Sequence, residues 1–249
     1  MMQEEVTGSR GKKNSIRCTA IVVAAGSGKR MGADRPKQFL DLCGRPILYY
    51  PLKAFQDSGR INEIIIVTGP DLIDYIRKNI VEAYGLTKVS AIVRGGSERF
   101  ESVYEGIRAA GETDYLFVQD GVRPFLNGQI IEDGYQAVRK YGTAVAGMPS
   151  KDTVKVTDGN GIVQSTPDRS SVWIVQTPQI FEYREIKAAY EKLFSHASKE
   201  ERKKVTDDAM VMETYGDRKV HMYRASYSNI KITTPEDLPI AEELMKTAK

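Results

Sequence analysis

A chain of 249 residues with 41% hydrophobic content can bury a full core, and no apolar run reaches membrane-spanning length. Lys and Arg number 36 against 33 Asp and Glu, a net charge of +3. Four basic and two acidic residues fall within the first seventeen positions, so the remaining body is nearly neutral, which excludes the strong field of a nucleic-acid binder. The two cysteines lack CxxC spacing and the histidines are only two, which argues against a disulfide framework or a zinc site and for a reducing cytoplasm.

Residues 1–17 are polar, lack the apolar stretch of a secretory signal, and read as a flexible N-terminal extension to a single domain over 18–249. The run Cys18-Thr19-Ala20-Ile21-Val22-Val23 predicts a buried strand over 19–23. Further β-branched runs predict strands at 63–67, 89–93, 115–119 and 143–148. Helical patterns lie between them at 47–56, 72–84, 98–110 and 129–140. Continuous apolar strands alternating with helices imply βαβ units around a mostly parallel sheet covered on both faces. Ligands of such sheets sit beyond the C-terminal strand ends, near a topological switch point. The loop after the first strand and Asp120-Gly121-Val122-Arg123-Pro124 should therefore share one edge.

The rhythm breaks over 151–176. Asp152-Thr153-Val154-Lys155-Val156 and Ile162-Val163-Gln164-Ser165 flank Asp158-Gly159-Asn160-Gly161, a hairpin pattern that would project as an arm. A helical pattern returns at 182–194, a strand is expected at 220–224, and the last helix should open with Thr234 as N-cap and Pro235 in its first position.

The loop Ala24-Ala25-Gly26-Ser27-Gly28-Lys29-Arg30-Met31, completed by Pro36-Lys37-Gln38, carries the chemistry. Met31 stands where the third glycine of a dinucleotide fingerprint belongs. A P-loop needs Ser or Thr after Gly28-Lys29 and a glycine at Val23. Gly26 and Gly28 alone would read equally as a strand-to-helix turn. With Arg30 and Lys37 they read as a phosphate site, in which backbone N–H groups approach oxygens and cations neutralise charge.

With this loop, the chain resembles the nucleotidyltransferases that couple a nucleoside triphosphate to a sugar or polyol phosphate. Within that group it is most similar to the 2-C-methyl-D-erythritol 4-phosphate cytidylyltransferase family. The segments that carry the resemblance include Gly95-Gly96-Ser97-Glu98-Arg99 with Ser102, Asp120-Gly121-Val122-Arg123-Pro124 and Asp152-Thr153-Val154-Lys155. They continue with Asp168-Arg169, Gln176-Thr177-Pro178-Gln179, Val205-Thr206-Asp207-Asp208-Ala209 and Asn229-Ile230-Lys231-Ile232-Thr233, in order along nearly the whole chain.

The resemblance implies an α/β, three-layer Rossmann-like nucleotidyltransferase fold with a mostly parallel sheet and an inserted β-hairpin arm. It implies transfer of CMP from CTP to 2-C-methyl-D-erythritol 4-phosphate, with release of pyrophosphate. Gly26, Gly28, Arg30 and Lys37 would hold the CTP phosphates, Arg30 and Lys37 as catalytic cations. Ala24, Ala25, Gly96, Ser97 and Ser102 would read cytosine. Asp120 would hold Mg²⁺, and Arg123 would bind substrate beside it. Thr153 and Arg169 would reach from the arm into a partner subunit's site, implying a homodimer, with Asp168 orienting Arg169. Thr206, which also reads as a helix N-cap, would contribute with Lys231 and Thr233 to the acceptor phosphate. Gln119 and Gly121-Val122 depart from the His-Asp-Ala-Ala-Arg that many members carry. Ribitol 5-phosphate cytidylyltransferase and a non-catalytic nucleotide-binding module remain the alternatives. No membrane or nucleic-acid partner is expected.

Overall fold

A computed structural model describes residues 15–26 and 35–247. The elements run β1 (Cys18–Ala24), β2 (Asp41–Leu42), β3 (Arg45–Pro46), α1 (Tyr49–Asp57), β4 (Glu63–Thr68), α2 (Ile73–Ile76), β5 (Val89–Arg94), α3 (Arg99–Ala109), β6 (Tyr115–Asp120) and α4 (Gly128–Tyr141). They continue with β7 (Thr143–Pro149), β8 (Val156–Thr157), β9 (Val163–Ser165), β10 (Trp173–Glu182), α5 (Tyr183–His196), α6 (Lys199–Arg202), α7 (Asp208–Tyr215), β11 (Met222–Arg224) and α8 (Asp237–Thr247).

The main sheet has seven strands in the order β11-β7-β10-β6-β1-β4-β5. Only β10 runs antiparallel to its neighbours. From β1 the chain steps outward through β4 to β5, then returns to the other side of β1 as β6. The switch point therefore lies between the C-terminal ends of β1 and β6, where ligands of open α/β sheets bind.

Alternation along the strands feeds two apolar layers. Ala20, Val22, Ile64, Ile66 and Phe117 pack with Leu52, Phe55, Ile131 and Val138 of α1 and α4 on one face. Ile21, Ile65, Val67, Leu116 and Val118 pack with Val103 and Ile107 of α3, Tyr190 of α5 and Met212 of α7 on the other. A third cluster joins Leu42, Ile47, Val122 and Ile232 to Ala241 of α8, which draws the C-terminal segment to the loop after β6.

Caps fix the helices that frame the switch point. Glu98 and Glu101 form a reciprocal capping box at α3, and the Asn127 side chain accepts from the Ile130 N–H at 3.0 Å at α4. Gly142, at φ +78, ends α4 in the left-handed conformation that glycine adopts without penalty.

The structure departs from several sequence expectations. The helix expected over 72–84 is split into a 3-10 turn, the short α2 and a π-helical stretch over Arg77–Glu82. The arm pairs only over β8 and β9, tied by Asp158 Oδ1, which accepts from the N–H groups of Asn160 and Ile162. The chain re-enters the main sheet at Trp173 as β10, within the segment expected to belong to the arm. The last helix starts at Asp237, not at Pro235. The Asp237 carboxylate accepts from the N–H groups of Thr233 (2.7 Å) and Thr234 (2.9 Å), closing a turn ahead of the helix. Residues 1–14 of the expected extension lie outside the described residues. Arg17 is already bonded to the body, its N–H donating to Asp114 Oδ2 at 2.8 Å.

Candidate active site

A cavity of about 300 Å³ opens at the switch point. A wider cleft of about 660 Å³ at the opposite edge, around Arg17, Asp114 and Glu182, contains none of the residues singled out above. The smaller cavity gathers nine of them: Ala24, Ala25, Gly26, Lys37, Gly96, Ser97, Ser102, Asp120 and Lys231. Gly28 and Arg30 lie outside the described residues.

Each wall follows from a local constraint. Pro36 opens a 3-10 turn over Lys37–Phe39, in which Phe39 buries against the core and Gln38 donates to the Ala24 carbonyl at 2.7 Å. That bond ties the Lys37 turn to the end of β1. On the facing wall, Glu101 Oε2 accepts from Ser97 N–H (2.8 Å), Ser97 Oγ (2.7 Å) and Glu98 N–H (3.2 Å). The Ser97 hydroxyl bond, then the backbone N–H bonds, hold the Glu101 carboxyl below the usual range. A Cβ at Gly96 would fall 2.3 Å from Glu101 Cβ, and one at Gly95 would fall 2.6 Å from Ser102 Oγ. Glycine is required at both positions for this close approach.

The floor is Asp120, at the end of β6 and 6% exposed. Its N–H donates to Thr177 Oγ1 at 3.1 Å. Three cations surround the carboxylate: Lys231 Nζ is 2.9 Å from Oδ2, Arg99 Nε 3.3 Å from Oδ1, and Arg123 Nε 3.6 Å from Oδ2. Burial alone would raise the Asp120 pKa, but Arg99, Lys231 and Arg123 together hold it well below the usual carboxylate range. Lys231 arrives from the irregular segment between β11 and α8. That segment is strapped down by Ile232 N–H to Val122 O (2.9 Å) and by Arg123 Nη1 to Asn229 O (2.8 Å). Arg123 thus supports the site from behind and does not line the cavity.

Five expected residues stand elsewhere. Thr153 and Arg169 lie on the exposed arm segment and do not line the cavity of their own chain. Asp168 does not orient Arg169. Its carboxylate accepts from Ser170 N–H at 2.9 Å, and Arg169 Nη1 reaches Lys151 O at 3.4 Å, because a short acidic side chain finds its own backbone first. Thr206 is not the cap of α7. Asp207 is, accepting from Met210 N–H at 2.9 Å, while Thr206 Oγ1 points to Met210 Sδ at 3.8 Å. Thr233 Oγ1 donates to Lys231 O at 3.2 Å and so braces the segment that carries Lys231.

Gln38, Arg99 and Asp208 lie in the motifs above without an expected role of their own, and Glu101 lies in none of them. Arg99 pairs with a residue 109 positions away, a partnership no local pattern displays.

The sequence model of the 2-C-methyl-D-erythritol 4-phosphate cytidylyltransferase family matches residues 18–247. The chain is 46% identical to the enzyme of that name from Clostridium botulinum, over 94% of this chain and 98% of that one. It is 44% identical to the one from Lachnospira eligens, over 92% and 99%. Among solved structures it superposes on 4-diphosphocytidyl-2C-methyl-D-erythritol synthase from Anaerococcus prevotii with a TM-score of 0.82 at 35% identity, over 93% of this chain and 96% of that one.

Proposed function

The chain belongs to the 2-C-methyl-D-erythritol 4-phosphate cytidylyltransferase family, and from that premise we infer how its residues carry out the reaction. It transfers the cytidylyl group of CTP to 2-C-methyl-D-erythritol 4-phosphate, releasing pyrophosphate and forming 4-diphosphocytidyl-2-C-methyl-D-erythritol. The observation that carries the mechanism is the convergence of Lys37, Asp120 and Lys231 on one cavity at the sheet's switch point.

The nucleophile is an oxygen of the acceptor phosphate, already ionised at neutral pH, so the reaction needs no general base. What remains is alignment and charge neutralisation. The wall formed by Ala24, Ala25, Gly96 and Ser97 takes the cytosine, with Ser102 behind it. Lys37 meets the α-phosphate, where charge builds as the acceptor attacks. Lys231, held at the cavity wall by Asp120 and 37% exposed, takes the acceptor phosphate.

Asp120 suits a divalent ion. Among the described residues no group of three His, Cys, Asp or Glu is placed to hold a metal. One ionised carboxylate is enough for Mg²⁺ when substrate phosphates supply further oxygens. Asp120 would hold that ion, which when bound supplies further neutralisation of the triphosphate.

Thr153 and Arg169 serve the cavity of a second copy. That neither lines the cavity of its own chain supports this, as do the exposed apolar side chains on the arm and its base: Val156, Ile162, Val163, Ile174 and Val175. The protein then acts as a homodimer. Free Cys18 and Cys43 suit the cytoplasm, and no helix among the described residues is long and apolar enough to cross a membrane.

Pyrophosphate release from CTP, measured with each acceptor in turn, tests the reading. Methylerythritol phosphate should support release. Activity with ribitol 5-phosphate alone, or with no acceptor, would overturn it.

A further inference from the structure

Asp208 lies outside the cavity and takes no part in the steps above, yet it is bound tightly to them. The first turn of α7 places its carboxylate in full burial. Tyr190 of α5, also fully buried, donates its hydroxyl to Oδ1 at 2.6 Å. Arg99 donates from two nitrogens, Nη1 to Oδ1 at 3.1 Å and Nη2 to Oδ2 at 2.8 Å. The remaining nitrogen, Nε, faces Asp120 Oδ1 at 3.3 Å.

This division matters because a guanidinium fork prefers to take a carboxylate with two nitrogens. Asp208 occupies two of the three. Arg99 can then give Asp120 only a single contact, and Oδ2 of Asp120 stays with Lys231 at 2.9 Å. Without the Asp208 charge, the fork would be free to close on both oxygens of Asp120 and displace Lys231. We propose that Asp208, steadied by Tyr190, is a positioning residue of the transfer reaction: it restrains Arg99 to one oxygen of Asp120 and so keeps Lys231 at the cavity wall. This rests on the cytidylyl-transfer reading.

The nucleotide wall has its own support, since Glu101 holds Ser97 and Glu98 without help from Asp208. Loss of the restraint should therefore move kcat and spare CTP binding. For Asp208→Asn we expect kcat to fall about 10- to 100-fold, the cost of misplacing a reacting group by roughly an ångström. KM for CTP should stay within about 3-fold, because the two walls are held independently. Arg99→Lys keeps the charge and loses the fork. Adding Asp208→Asn to it should change kcat by less than about 2-fold, since both changes act through one bond. Tyr190→Phe should lower kcat by a few-fold with the same unchanged KM.

A folded Asp208→Asn enzyme with wild-type kcat would overturn the inference. So would an Asp208→Asn effect of equal size in wild-type and Arg99→Lys backgrounds. If Asp208→Asn does not fold, Tyr190→Phe decides: reduced kcat at constant KM supports the inference, and wild-type kcat overturns it. Absence of transfer in the wild-type enzyme would remove the activity reading, and this inference with it. Normal transfer in every variant would leave the activity standing and remove the inference alone.

Discussion

Asp120 concentrates the electrostatics of this site. A carboxylate this buried would lose several kcal/mol of hydration and protonate if it stood alone, and Arg99, Lys231 and Arg123 prevent that. Its folded pKa lies below the unfolded value near 4, so its stabilisation is complete above about pH 4 and drains away as pH falls toward the folded value. Asp120→Asn leaves Lys231 and Arg123 without their counter-charge and Arg99 with Asp208 alone, and should cost about 3–5 kcal/mol at pH 7. Denaturant melts should show that difference shrinking below about pH 4; a difference independent of pH would contradict the assignment. On the proposed mechanism, Lys37 supplies charge where the reaction builds it. Lys37→Ala should cut turnover by about 10²–10³, comparable to removing one donor from an oxyanion site, while circular dichroism shows an intact fold. Which residues lie at the site was largely legible, because glycines after a buried strand and a carboxylate at a strand end carry local signals. The pairing of Arg99 with Asp208 was not, because burial and a distant partner decide it. Asp168 departs from its expected role for the opposite reason: its own backbone outcompetes Arg169.

The parallel strands were readable because a sheet covered on both faces demands unbroken β-branched runs, as in Ile64-Ile65-Ile66-Val67. β10 was not. Its centre is Gln176-Thr177-Pro178-Gln179, polar and interrupted by proline, and its pairing with β7 shifts register between Val175 and Gln179. Those polar side chains are buried all the same, and they serve the site: Thr177 Oγ1 accepts from Asp120 N–H, and Gln176 Oε1 accepts from Asn229 Nδ2 at 3.1 Å. β10 is thus shaped by what it supports more than by strand propensity. The helix that follows the Gly96-Ser97 wall is set by packing. A Cβ on Gly106 of α3 would fall 2.7 Å from Ile21 Cγ2 and 3.1 Å from Val67 Cγ2. Gly106→Ala gains about 1 kcal/mol of helix propensity, but overpacking costs about 1–3 kcal/mol. The net loss should lower the melting temperature by a few degrees. A higher melting temperature would mean that α3 can slide on β1 without strain.

Taken whole, the molecule is a sheet with one working edge and an arm whose Thr153 and Arg169 do not line the cavity of their own chain. On the proposed reading, Arg169 and Thr153 meet phosphate in the cavity of a second copy. Light scattering should therefore give a dimer, and a strict monomer with full activity would remove the shared site. The roles of Lys37, Lys231 and Asp120 all presuppose that the bond broken is the one at the α-phosphorus of CTP. Phosphorus-31 NMR of a reaction containing CTP and 2-C-methyl-D-erythritol 4-phosphate tests that directly. The account predicts pyrophosphate and, in equal amount, a cytidine diphosphate ester with two mutually coupled phosphorus signals. CDP with a doubly phosphorylated acceptor, or CMP with unchanged acceptor, would contradict it.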